Sequence, residues 1–210
     1  MKQDQDTESL KKLLLDGSLT LLFVRHGQAG GNGTREGLLG AALSKTGERQ
    51  AALLARRLAT LPLSHIYASD MARSFQTAEY VSRFHSGIPF QSMPDMREIS
   101  PFQVRGFPPP HSARERAIRR EERERVERFA RYLRENHHPG QLIAVIGHNG
   151  VNGMLMAQLS GTDYRRGVRI VCCHTSVSVM SMAPEIPPVA LRLMGCTRHL
   201  PPSLVTYSNV

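Results

Sequence analysis

The chain has 210 residues, 40% of them hydrophobic and 21% charged, a composition typical of one globular domain rather than of a disordered segment. No apolar run approaches the ~20 residues that a membrane span needs, and the polar N-terminus lacks the apolar core of a signal peptide. Of the three cysteines, Cys172 and Cys173 are adjacent, which disfavours a disulfide framework. We therefore expect a cytoplasmic protein that does not bind membranes.

The net charge of +9 raises the hypothesis of a nucleic-acid-binding protein. Many of the arginines, however, lie between Arg114 and Arg134, where glutamates are interleaved with them. This pattern is typical of a solvated helix with salt bridges along its surface. Since no zinc-finger or RNA-recognition motif accompanies it, we expect no nucleic-acid partner. The positive charge instead favours anionic substrates such as phosphates.

The first part of the chain predicts a strand that ends in polar residues. Residues 1–18 form an N-terminal extension in which Thr7–Asp16 can be a short helix, stopped by a glycine. Leu19–Val24 is an apolar run typical of a buried strand, and it stops at Arg25-His26-Gly27. A glycine-rich loop follows, and Ser44 is a good N-cap for the next helix.

A second strand and helix follow. His65–Ala68 predicts a short strand that leads into a helix capped by Ser69 or Asp70, with Arg73 in its first turn. Phe90–Met93 predicts a third, weaker strand.

The second half of the chain begins with a proline-rich loop at residues 94–111, which we expect to border the pocket. Ser112–Asn136 then predicts a long charged helix. The predicted buried face of this helix contains Ile118, Val126, Phe129, Ala130 and Leu133.

Leu142–Ile146 is the continuous apolar run expected of a central strand, and it stops at Gly147-His148-Asn149-Gly150. After one more helix, the last two strands are predicted at Val168–Met182 and Val189–Leu193.

Strands that alternate with helices predict one α/β domain over residues 1–210, a three-layer α/β/α sandwich with a mainly parallel central sheet. The carboxyl ends of parallel strands share one edge of the sheet, where ligands bind. That edge would bring together Arg25, His26, Arg73 and His148. Two guanidiniums and two imidazoles suit a small dianion, because arginine forks match phosphate oxygens in a bidentate way.

Four motifs, in this order, resemble those of the histidine phosphatase superfamily, the phosphoglycerate mutase-like family. They are Arg25-His26-Gly27 followed by Asn32, then Leu43 to Ala51, then Ala68 to Ala78, and then Gly147-His148-Asn149-Gly150. The segment from Gly195 to Leu200 is similar to the final strand of that family and its end. The resemblance runs from about Leu19 to Leu200 and implies the phosphoglycerate mutase-like fold.

The resemblance also implies a phosphohistidine mechanism with His26 as the nucleophile. Arg25, Arg73 and His148 would stabilise the charge on the phosphoryl oxygens. Because the arginines supply the positive charge, we expect neither a metal ion nor a cofactor. The further phosphate ligands would be Asn32 and Asn149.

A carboxyl group must protonate the leaving oxygen and then activate water. The position of Glu98 matches the acid of the family. However, Ser100-Pro101-Phe102 follows it, where the family often has glycines and an aromatic residue. Glu36 and Asp95 therefore stay open as alternatives.

A metal-independent phosphatase of the histidine acid phosphatase type is favoured over a phosphoglycerate-type mutase. The mutases of the family have a longer segment after the acid, which encloses the substrate, whereas a short proline-rich stretch stands there in this chain. An open pocket admits water and so favours hydrolysis. A catalytically weak binding or adaptor module is the third hypothesis, and it is disfavoured because His26, His148, Arg25 and Arg73 are all present.

The expected partner is a small phosphomonoester or a phosphoprotein. The oligomeric state is open, and a dimer could form through the last strand or the leading helix. Six other histidines lack the spacing of metal ligands, and we interpret them as surface or core residues. They are His65, His85, His111, His137, His138 and His174.

Residues Phe102–Pro110 are expected to form one wall of the pocket and to set specificity. Replacing Arg105 and Phe107 with alanine should therefore change the ranking of phosphomonoesters by kcat/KM more than it changes the chemistry. Phosphate release from a substrate panel measures this ranking, and an unaltered ranking would contradict the prediction.

Overall fold

The computed structural model describes residues 7–8, 10–14, 17–30, 40–100, 112–164, 172–183 and 189–207. Its strands form one six-stranded sheet with helices on both faces, as predicted. The strands are β1 (Leu19–Arg25), β2 (His65–Ala68), β3 (Phe90–Ser92), β4 (Leu142–Gly147), β5 (Val177–Met182) and β6 (Val189–Cys196). The helices are α1 (Lys45–Leu58), α2 (Ala72–Ser82), α3 (Ala113–Asn136) and α4 (Asn149–Leu159).

The strand order is β3-β2-β4-β1-β5-β6. The first four strands are parallel, and β5 runs antiparallel to both of its neighbours. The register pairs Arg25 with Gly147, so β1 and β4 end at the same level. The residues that follow them, His26 and His148, are therefore delivered to one point of the sheet edge.

The sheet separates two apolar cores. Leu22 and Val24 of β1 pack with α1 and α2, whereas Leu21 and Phe23 pack with α3 and α4. Because both faces of β1 and β4 are covered, these strands are continuous apolar runs instead of alternating ones.

Three local predictions were wrong: the cap of helix α2, the burial of Ile118, and the start of the fifth strand. Helix α2 is capped by neither Ser69 nor Asp70: its N-cap is Met71, which makes no side-chain capping bond, and Asp70 pairs with Arg97. Ile118 is 39% exposed, because the N-terminal half of α3 extends beyond the core.

The strand predicted at Val168–Met182 begins only at Val177 within the described residues. Just before it, Thr175 adopts a left-handed conformation with φ +55°, which is incompatible with an extended strand.

None of the helices in the described ranges is both long and apolar enough to cross a membrane.

Leu54 of α1 is fully buried, whereas Leu191 of β6 is 49% exposed. Leu54→Ala should lower the free energy of unfolding by about 2–5 kcal/mol, because it leaves a cavity in the core. Leu191→Ala makes the same chemical change at the surface and should cost less than about 1 kcal/mol. Urea denaturation of both variants measures the difference, and equal losses would contradict this account of the core.

Candidate active site

The ends of three parallel strands bring the predicted residues together. His26 follows β1, His148 is the N-cap of α4 after β4, and Arg73 lies in the first turn of α2 after β2. The His26 and His148 rings are both buried, with 4.9 Å between their centroids. The convergence predicted from the sequence is therefore present in the structure.

The hydrogen bonds of His26 define its tautomer. Its Nδ1 lies 2.6 Å from the carbonyl oxygen of Gly27, and because a carbonyl can only accept, Nδ1 carries the proton. Its Nε2 lies 3.1 Å from the Nε of Arg73, which can only donate. The lone pair of Nε2 is thus directed into the cluster of cations, as a nucleophile for an anionic phosphoryl group requires.

Burial and charge keep both central imidazoles neutral. Burial is the main cause that lowers the pKa of His26 well below 6.5, and His148, Arg73 and Arg25 lower it further. The pKa of His148 is lowered in the same way, first by burial and then by Arg73, Arg25 and Arg125. A neutral imidazole is the form that can attack phosphorus.

His148 has one ring nitrogen without a hydrogen-bond partner among the described residues. Its Nε2 is 3.0 Å from the hydroxyl oxygen of Ser69, which also accepts a bond from the Met71 N–H. A hydroxyl can donate as well as accept, so Ser69 can donate to His148 Nε2, and the one N–H proton of the neutral ring then lies on Nδ1. That Nδ1 is enclosed and has no partner among the described residues, so it is an unsatisfied polar atom beside His26.

Arg25 and Glu98 complete the cluster. Arg25 donates from Nη1 to the Cys172 carbonyl at 2.5 Å. Burial lowers the pKa of both Arg25 and Arg73, and the charge of Glu98 raises the pKa of both, so this carboxylate acts on both guanidiniums.

Glu98 is half-buried at the N-terminus of α4. Its carboxylate accepts backbone N–H bonds from Ile99 at 2.9 Å, Gly150 at 3.1 Å and Val151 at 2.9 Å. This end of the helix dipole favours an anion. Helix α3 fixes the segment, because Arg125 donates to the Glu98 carbonyl at 3.0 Å. The Asp95 carboxylate instead pairs with Arg128 at 2.8 Å.

The loop after His26 is held by close backbone contacts. Its Gly27 N–H donates to the Thr77 hydroxyl at 3.0 Å, and its Gln28 N–H donates to the Gln50 side chain at 2.8 Å. A Cβ on Gly47 would lie 2.0 Å from the Gln28 carbonyl oxygen, so a glycine is required where α1 meets this loop.

The remaining predicted site residues differ in outcome. Asn149 uses its side-chain carbonyl to accept the Cys172 N–H at 2.8 Å, so it holds the segment before β5, and its role in phosphate binding stays a prediction. Asn32, Glu36 and the predicted wall Phe102–Pro110 lie outside the described residues.

The sequence interpretation did not place His174 in the site. This histidine is 4% exposed, and its ring centroid lies 5.6 Å from that of His26. Its pKa is lowered to about 4 by burial and by the charges of Arg25 and Arg73. The sequence held no signal for this position, because His174 lies three residues before β5, and only the structure shows that β5 runs antiparallel to β1 and so starts at the edge where β1 ends.

In the part of the chain that the structure describes, no three His, Cys, Asp or Glu side chains are grouped as a metal site would require.

Comparison with known proteins gives one family and one fold. Residues 21–192 match the sequence model of the histidine phosphatase superfamily (branch 1). A Photorhabdus laumondii protein named "Probable phosphoglycerate mutase GpmB" is 35% identical over 83 residues, 39% of this chain. The match spans 38% of that relative, so the chain aligns with less than half the length of the curated relatives.

Solved structures align over most of the chain. The alpha-ribazole phosphatase from Shigella flexneri has a TM-score of 0.67 at 22% identity, covering 86% of this chain and 97% of that one. A mycobacterial glucosyl-3-phosphoglycerate phosphatase has a TM-score of 0.65 at 17% identity, covering 86% and 100%. At these identities the likeness establishes the fold.

The site should contain three neutral imidazoles near neutral pH. In an NMR titration of the ring shifts, His26, His148 and His174 should each take up a proton well below pH 6.5, because burial and the arginines disfavour the charged form. In Arg25→Gln the pKa of all three should rise, since one positive charge is removed. A ring that titrates at or above 6.5 in the wild type would contradict this description.

Proposed function

Because the chain belongs to the histidine phosphatase superfamily (branch 1), we propose that it is a metal-independent phosphomonoesterase of the histidine acid phosphatase type. The observation that carries the proposal is His26, with Nδ1 bound to the Gly27 carbonyl and a lone pair on Nε2 facing Arg73. This is the tautomer that a phosphohistidine intermediate requires.

The proposed reaction has two displacements. In the first, Glu98 enters as the carboxylic acid, having taken a proton from solvent. His26 Nε2 attacks phosphorus, the bond from phosphorus to the ester oxygen breaks, and Glu98 gives its proton to the leaving oxygen. In the second, Glu98 takes a proton from water as the water attacks phosphorus, and the bond to Nε2 breaks to release inorganic phosphate. Arg25, Arg73 and the Nδ1–H of His148 stabilise the equatorial oxygens in both steps.

Hydrolysis is preferred over phosphate transfer to a second hydroxyl. The structural neighbours carry the names of phosphatases, which supports hydrolysis, and the partial sequence relative is named as a mutase, which supports the alternative. We take the substrate to be a small phosphomonoester or a phosphoprotein. The three cysteines are free, which supports a reducing cytoplasmic compartment.

The test is phosphate release in the presence of EDTA from p-nitrophenyl phosphate, 3-phosphoglycerate, sugar phosphates, nucleotides and phosphopeptides. His26→Ala should abolish release, because no nucleophile remains. His138→Ala is the matched control. It removes an exposed imidazole that lies just before the N-terminal end of β4, at the edge of the sheet away from the site, and it should retain wild-type activity. Glu98→Gln should lower release from alkyl esters by roughly 10²–10⁴-fold, since the proton donor is lost.

Each outcome separates two hypotheses. Release that requires a metal, or that persists in His26→Ala, would contradict the phosphohistidine mechanism. Conversion of 3-phosphoglycerate to its isomer with little release would identify a mutase. No turnover of any substrate by the wild type would favour a binding module.

A further inference from the structure

His174 is a third imidazole in the pocket, and the proposed mechanism does not use it. Its ring is tilted by 50° to that of His26, at 5.6 Å between centroids. The charges of both pocket arginines, Arg25 and Arg73, act on it. A side chain so close to the nucleophile lies within reach of a substrate bound there.

The C-terminal segment orients this ring. His174 Nδ1 lies 2.8 Å from the hydroxyl and 3.1 Å from the carbonyl oxygen of Thr206, and the His174 N–H donates to the same carbonyl at 3.0 Å. Because the carbonyl can only accept, the proton of the neutral ring lies on Nδ1. Thr206 is itself held by the Gln50 side chain at 2.8 Å.

The opposite nitrogen is therefore an acceptor. His174 Nε2 makes no hydrogen bond to any residue that the structure describes, and it is not among the polar atoms enclosed without a partner. It thus remains open to a bound molecule. Of the other pocket groups, the two guanidiniums and the Nδ1–H of His148 are donors, and the two other acceptors, His26 Nε2 and the Glu98 carboxylate, already have roles in the proposed reaction.

The His174 acceptor needs a ligand that can donate a hydrogen bond. An ionised phosphoryl group has none, so the lone pair of His174 Nε2 does not suit the phosphate oxygens. The hydroxyl groups of an alcohol do supply such a hydrogen.

We infer that His174 is a specificity-determining residue that accepts a hydrogen bond from a hydroxyl of the leaving alcohol, which selects phosphomonoesters of hydroxylated alcohols over those of simple alkyl alcohols. The inference rests on the proposed phosphatase function. A protonated His174 would instead donate to phosphate, but burial and the two guanidiniums oppose that form, and the described contacts include no carboxylate on the ring.

Two substrates that differ by one hydroxyl test this inference. The ratio of kcat/KM for propane-1,2-diol 1-phosphate to that for n-propyl phosphate should be roughly five to tenfold or more in the wild type. His174→Asn keeps a side-chain N–H near the Nδ1 position and loses the Nε2 acceptor, so the ratio should fall to about one. His174→Gln places an amide oxygen near the Nε2 position and should retain part of the preference.

The results distinguish this inference from the proposed function. If p-nitrophenyl phosphate and both alkyl esters release no phosphate, the proposed function fails. If these substrates do release phosphate, a wild-type kcat/KM ratio near one overturns the inference. This measurement needs no variant, so it holds even if the His174 variants do not fold. If the kcat/KM ratio in His174→Asn equals that of the wild type, the inference is also overturned. This includes the result in which both alkyl esters react more slowly by the same factor, because His174 would then assist a step common to both substrates.

Discussion

The bond from His26 Nδ1 to the Gly27 carbonyl is the interaction on which the site depends. It decides which ring nitrogen keeps its lone pair, and so it decides whether the imidazole can act as a nucleophile. The carbonyl is held in place because Thr77 binds the N–H of Gly27 from α2. A side chain could not be accommodated there, because a Cβ on Gly27 would lie 2.7 Å from the Gly47 carbonyl oxygen.

The side chains at the edge of the sheet supply the positive surroundings of that ring. Parallel pairing of β1 with β4 and of β4 with β2 sets three strand ends at one level, and each end contributes a side chain to the pocket. Burying two guanidiniums beside two imidazoles favours the neutral state of the rings. The same field favours a bound anion, as the proposed function requires.

The sequence was sufficient for the parallel part of the sheet and for the residues at its strand ends. Long apolar runs followed at once by Arg25-His26 and by His148 leave little choice of element, and the edge of a parallel sheet then brings them together. The direction of β5 could not be deduced in this way, because periodicity carries no information on strand direction. His174 was consequently placed among surface or core residues, although an antiparallel strand starts at the active edge.

Asp70 was predicted as a cap, but its long-range pairing with Arg97 depends on tertiary structure that local patterns do not contain.

The turn before β5 shows how the C-terminal part of the chain supports the site. Thr175 donates its N–H to the carbonyls of Arg25 and His26 at 3.0 and 3.3 Å, and it does so with φ +55°, a conformation that costs a β-branched residue about 1–3 kcal/mol. Its hydroxyl lies 3.1 Å from His199 Nε2, and Arg57 lies 3.2 Å from His199 Nδ1. Since Arg57 can only donate, His199 accepts at Nδ1 and donates from Nε2 to Thr175. Burial and Arg57 lower the pKa of His199 to about 3, which preserves this neutral tautomer. The strain at Thr175 is therefore stabilised by a buried chain of directed bonds, and that chain fixes the backbone that carries Arg25 and His26.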